Sequence, residues 1–237
     1  MLTLKRLFEL VTTAKVKPKD VEEVLRLEGI PEKTKLKWAA RLWQRCLNQN
    51  PSHYTKEKLE KIKREVPLGK EAYLLSVLMT NRRISEKDLE ELSVNYREIA
   101  KVIAYSPCVI IDQVEYLLKK FPLEKLLKHA DDADIIKSIL EMCEDREIVE
   151  AFGKLSLSEV KEIIKRLGTI TNSFLVEFLL EAAVSCGHNP LTLIFLIAKA
   201  CEYKGEPIFR EEILYALDEA KCTPAQRRRF LRALRCL

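Results

Sequence analysis

Glycine is scarce in this chain, with six residues in 237. Folds that cradle phosphates in glycine-rich loops need several at fixed spacing, and no such cluster is present. Aromatic residues supply only 7%, which is poor stock for strands. Long apolar runs are missing as well. The most apolar stretch, Leu191 to Ala198, is eight residues and stops at Lys199, well short of a bilayer span. The N-terminal MLTLKRLFELVTTAK is interrupted by Lys5, Arg6 and Glu9, so it carries no export-type apolar region. No membrane association is expected, and an intracellular, cytoplasmic location is the default. Asn and Gln are also sparse, ten together against 53 Lys and Glu. That imbalance is typical of hyperthermophile proteins and points to such a source, an archaeon or its virus.

What is abundant builds helices: 36 Leu, 28 Glu and 25 Lys. Glycine and proline act as punctuation. Gly29, Gly153, Gly168, Gly187 and Gly205 each follow an apolar-periodic run, where a helix-ending residue takes positive φ. Ser106-Pro107, Asn189-Pro190 and Thr223-Pro224 read as a cap followed by the first helical residue. Ser156 with Glu159 and Thr223 with Gln226 have capping-box spacing. These signals predict about sixteen short helices, the first over 2–14 and later ones including 19–28, 32–48, 55–65, 190–203, 207–220 and 224–236. No fixed repeat period emerges. The expected fold is all-α, a compact non-repeating bundle of many short helices with tight loops; the alternative is an irregular array of helical hairpins.

Charge is unevenly spread. Residues 1–66 carry 16 basic and 9 acidic groups, 67–162 carry 14 and 19, and 163–237 carry 11 and 8. The Val66-Pro67-Leu68-Gly69 break therefore divides an expected basic N-terminal helical subdomain, 1–66, from a larger helical domain, 67–237.

Two basic helices stand out. Within 19–48, two predicted helices flank Glu28-Gly29-Ile30-Pro31, a turn of helix-turn-helix kind. On the second, Lys33, Lys37, Arg41 and Arg45 recur every fourth residue and sweep about 120° of the surface. Trp38 borders them, while Leu36, Ala40, Trp43 and Leu47 form a separate apolar stripe. Cations beside an aromatic on an anchored helix suit contact with nucleic-acid phosphates. The register is not that of a recognition helix, because Lys35 stands where an apolar residue usually packs. A solvated basic face is the competing reading.

The second is 224–236, with Arg227, Arg228, Arg229, Arg232 and Arg235 and no acid. Arg228, Arg232 and Arg235 cluster opposite Phe230, Leu234 and Leu237, and arginine favours bidentate contact with phosphate or carboxylate. Internal pairing competes. In an antiparallel hairpin with the preceding helix, Arg227 and Arg228 would lie near Asp218, and Arg235 near Glu211 and Glu212.

Other segments offer less. Helix 55–65 reads as solvated, with Glu57–Lys61 and Glu60–Arg64 pairs in the favourable order. The seven cysteines, at 46, 108, 143, 186, 201, 222 and 236, include no C-x-x-C. An up-and-down run of the last four helices brings Cys186 to the end that holds Cys222, and Cys201 to the end that holds Cys236, so two disulfides are expected there. Cys186, His188 and Cys222 lack a fourth ligand and zinc spacing, and no metal or cofactor is expected. Asp131, Asp132 and Asp134 form one acidic cluster without the second that magnesium-dependent helical enzymes use, and Asp131 fits a helix cap. No G-x-S-x-G, H-E-x-x-H or P-loop is present.

The expected function is non-enzymatic binding, with a protein partner or self-association first and no small-molecule substrate. Nucleic-acid binding through Lys33, Lys37, Trp38, Arg41, Arg45, Arg228, Arg232 and Arg235 is the alternative. An enzyme outside the known motifs is the second alternative.

Overall fold

Helices account for nearly all the regular structure because the leucine-rich periodicity and the caps agree almost everywhere. The structure, a computed structural model, describes residues 12, 15–49, 51–80, 82–106, 111–203 and 206–235. All but Thr12 of the helix expected over 2–14 lies outside the described residues. The helices are α1 (Pro18–Leu25), α2 (Glu32–Asn48), α3 (His53–Glu65), α4 (Gly69–Met79), α5 (Glu86–Glu91), α6 (Tyr96–Tyr105), α7 (Ile111–Lys120) and α8 (Leu123–His129). They continue as α9 (Ala133–Leu140), α10 (Asp145–Lys154), α11 (Leu157–Leu167), α12 (Ser173–Ser185), α13 (Pro190–Ala200), α14 (Arg210–Glu219) and α15 (Pro224–Arg235). Between α13 and α14, Glu202–Tyr203 (β1) and Glu206–Pro207 (β2) form a two-residue antiparallel ladder. The helix expected over 190–203 therefore ends early. The protein is all-α.

The chain forms two units, residues 1–117 and 118–237. The break expected at Val66-Pro67-Leu68-Gly69 lies inside the first, where it is a tight turn that packs α3 onto α4. Leu68 takes the left-handed conformation, φ 65°. Gly69 sits so close to α3 that a Cβ would fall 2.1 Å from the Ile62 carbonyl oxygen, so only glycine fits there.

In the first unit α4, largely apolar beyond Lys70 and Glu71, is central, touching α2, α3 and α6, while α1 packs on α2 and α3. Trp43, Leu36, Leu42, Leu74, Leu75, Ile99 and Ile103 fill the space between. The second unit is ordered differently. Each helix packs on the one two places on: α8 on α10, α9 on α11, α10 on α12, α11 on α13, α12 on α14 and α13 on α15. That is the contact order of a helical-hairpin array, compactly closed by the apolar α12 and α13, which also touch each other.

Local signals set most boundaries. Ser156 and Glu159 form the expected box at the start of α11, and Thr223 and Gln226 do so at α15. Asn189 caps α13 with Pro190 at its first position. Asp132 rather than Asp131 caps α9, accepting from the Asp134 amide at 2.7 Å. Gly29, Gly168 and Gly187 have positive φ, but Gly153 stays helical inside α10. A Cβ on Gly153 would lie 3.3 Å from the Cys186 carbonyl, so close helix approach explains that glycine. Gly205 and Pro107 lie outside the described residues.

Candidate nucleic-acid interface

α2 spans the residues its sequence predicts, and its two faces separate cleanly. Leu36, Ala39, Ala40, Leu42, Trp43 and Cys46 are buried. The Trp43 and Tyr73 rings meet at 5.8 Å, and the Gln44 amide donates to the Ser76 carbonyl at 2.6 Å. Glu32, at the start of α2, pairs with the buried Lys101 of α6. With that face anchored, Lys33 and Arg41 are exposed, and Lys37, Trp38 and Arg45 are half-buried. Lys33 stands 5.8 Å from the centre of the Tyr105 ring. Lys37 and Arg41 form no ion pair among the described residues. Leu47, expected on the apolar stripe, is 43% exposed.

α15 is anchored by Phe230 and Leu234, the former edge-on to Phe195 at 5.7 Å. Arg227 pairs with Asp218 as the hairpin geometry requires. Arg228, Arg229 and Arg232 are exposed on the opposite side and form no ion pair among the described residues. Asp218 therefore engages one arginine, and Arg228 is not held by it. Arg235 ends α15; its side chain and all of Cys236 lie outside the described residues.

Elsewhere many charges pair along their own helix. Lys19–Glu23, Arg26–Glu22, Lys61–Glu65, Lys87–Glu91 and Lys154–Glu150 are pairs one turn apart. In α3 the Glu60–Arg64 pair forms as expected, but Lys61 turns to Glu65, and Glu57 meets His53.

A second basic surface was not foreseen. α1, the residues before it and α3 enclose a groove of about 780 Å³. Six cations line it, Lys15, Lys17, Lys19, Arg26, Lys58 and Lys61, against two acids, Glu22 and Glu65. Tyr54 stands at this groove 66% exposed, with the Lys58 ammonium 5.4 Å from its ring centre. Helix 55–65 alone reads as solvated, and the concavity exists only through its packing with α1. The net charge follows the same division: 22 basic and 17 acidic residues in 1–117, but 19 of each in 118–237.

The expected disulfide between Cys186 and Cys222 is not formed; both are free thiols, as is Cys201, and the Cys201–Cys236 pairing reaches outside the described residues. The reason lies at the end of α12, which sits between α10 and α14. Gly187-His188 turns that end toward α10: the His188 Nε2 lies 3.0 Å from the Phe152 carbonyl oxygen and 2.8 Å from that of Leu155. The Cys186 carbonyl rests against Gly153, so Cys186 belongs to the α10 side and not to the α14 side. Burial pushes the Cys46, Cys143 and Cys201 thiols up to about 12. No cluster of His, Cys, Asp or Glu suited to a metal ion occurs among the described residues.

No helix among the described residues is long and apolar enough to cross a membrane. Comparison with family models, with curated proteins and with solved structures finds no match to this chain.

Proposed function

We propose that this protein acts by binding, without catalysis, and that its ligand is the sugar-phosphate backbone of a nucleic acid. One observation carries the reading: Lys37 and Arg41 stand on the basic face of α2 without an ion pair among the described residues, in the unit that holds the whole net charge of +5. Unpaired cations on a rigid helix release counterions from phosphate on contact, which is the main source of such affinity. Arg228 and Arg232 supply a second set on α15.

The test is fluorescence anisotropy of labelled DNA and RNA, single- and double-stranded, at low and moderate salt. Lys37→Glu/Arg41→Glu should weaken duplex binding and reduce the slope of log K against log salt by about 2, since two phosphate contacts are lost. Arg228→Glu/Arg232→Glu tests the second helix in the same way. Absence of binding at low salt would overturn the reading.

A protein partner is the second reading. It is favoured by Phe174, Ile208 and Tyr215 in the second unit, which are 68%, 50% and 68% exposed. Apolar side chains left in water suit a docking surface. Light scattering of the wild type beside Phe174→Ser/Tyr215→Ser tests self-association.

A further inference from the structure

We infer that the groove between α1 and α3 is a binding site for a nucleoside phosphate, with the lysines taking the phosphate and Tyr54 taking the base. The choice of ligand rests on the phosphate-binding reading above, but the residues are different ones.

The electrostatics of the groove are not self-compensated. Arg26 is held by Glu22 at 3.0 Å, Lys61 by Glu65 at 3.5 Å, and Lys19 by Glu23 at 3.5 Å. These pairs use both acids of the lining. Lys15, Lys17 and Lys58 remain, all exposed and none ion-paired among the described residues. Ammonium groups left together in a concave site repel one another, and an anion of two or more charges relieves that repulsion. A flat surface would let the charges spread apart, whereas this lining is fixed by buried anchors: Val21, Val24 and Leu25 on α1, and Leu59 and Ile62 on α3.

Size and the aromatic narrow the ligand. A volume of about 780 Å³ is that of a small-molecule pocket and exceeds what inorganic phosphate needs. Tyr54 keeps two thirds of its surface in water beside the Lys58 ammonium. An exposed ring next to unpaired cations is the arrangement that stacks a base while its phosphate is held. A free nucleotide and one nucleotide of a single strand share this chemistry.

The experiment uses the full chain with labelled adenosine diphosphate, a short labelled oligothymidylate, and pyrophosphate as competitor. Lys17→Glu/Lys58→Glu should lower the affinity for both labelled ligands at least about tenfold, as expected when two phosphate contacts reverse sign. Tyr54→Ala should lower it about fivefold or more, and Tyr54→Phe should restore it, since stacking needs the ring and not the hydroxyl. All three positions are exposed, and unchanged circular dichroism melts verify folding. Displacement of the oligonucleotide by adenosine diphosphate at similar concentration identifies the free nucleotide as the source; oligonucleotide binding that the diphosphate does not displace identifies the strand. Both outcomes support the site. Pyrophosphate binding as tightly as the diphosphate, with Tyr54→Ala silent, overturns it. If Lys37→Glu/Arg41→Glu abolishes duplex binding while Lys17→Glu/Lys58→Glu leaves both labelled ligands unaffected, the groove inference falls and the α2 reading stands. The reverse pattern keeps the groove and removes α2.

Discussion

In residues 1–117 the core holds Lys63, Glu71, Ser76, Lys101 and Gln113 away from water, whereas every buried residue described in 118–237 is hydrophobic. Lys63, Ser76, Lys101 and the Gln113 amide nitrogen have partners. Lys63 pairs with Glu60 at 2.7 Å and lies 4.4 Å from the centre of the Tyr73 ring, whose hydroxyl donates to Asp88 at 2.6 Å. Lys101 reaches Glu32, and Gln113 donates to the Arg82 carbonyl at 3.0 Å. Buried ion pairs contribute little net stability but penalise any arrangement that separates them. The difference teaches where position matters. Lys101 ties α6 to α2 through Glu32, and Lys63 ties α3 to α4 through the Tyr73 ring. The second unit also has charged ties, Lys128 of α8 to Glu159 of α11 and Arg227 of α15 to Asp218 of α14, but neither joins a buried side chain.

The comparison breaks most visibly on core truncation. Phe152→Ala, in the apolar centre of the second unit, should cost about 3–5 kcal/mol. Both tryptophans, Trp38 and Trp43, belong to the first unit. Urea unfolding followed by circular dichroism should therefore shift to lower denaturant while the tryptophan fluorescence transition stays in place. Coincident shifts would show that the units unfold together.

A smaller effect tests the buried charges. Lys101→Met should destabilise the first unit by about 1–3 kcal/mol, by breaking the pair with Glu32 and removing a cation near the buried Glu71. Burial raises the Glu71 pKa, so the folded chain favours its protonated form. Its contribution is complete below the ordinary carboxylate range and is lost as the pH rises through the folded value. Glu71→Gln should accordingly raise the thermal midpoint at neutral pH, match the wild type near about pH 4, and rescue part of the Lys101→Met loss. Asp88 acts in the opposite sense. Burial pushes its pKa up, but hydrogen bonds from Ser85 and Tyr73, with Lys63 nearby, bring it below the usual value. Its contribution is therefore present above that range and is lost on acidification. The smallest effect is at an exposed cap: Thr223→Ala removes the acceptor for the Gln226 amide and should cost about 1 kcal/mol, read as a lower denaturation midpoint in the second unit only.

Much of this was legible in the sequence, and the boundary of legibility is physical. The bounds of α2, its basic and apolar faces, and the boxes at Ser156 and Thr223 depend on residues within a few positions of each other. The all-α class follows from the same local signals. The groove escaped notice because Lys15 and Lys17 are some forty residues from Tyr54 and Lys58, and their meeting depends on how α1 packs against α3. Gly153 misled because close approach and helix termination both select glycine. The Cys186–Cys222 pairing failed on the direction of one turn: equal helix ends were inferred, but His188 commits that turn to α10.

The buried thiols have a practical consequence. Only thiolate is alkylated at a useful rate, and with pKa values of about 12 the thiols of Cys46, Cys143 and Cys201 react at neutral pH only when their surroundings open. Cys46 belongs to one unit and the other two belong to the second. Pulse alkylation read out peptide by peptide thus becomes a clock for local opening. It times each unit separately in the unmodified chain, with and without a candidate ligand, and requires no engineered label.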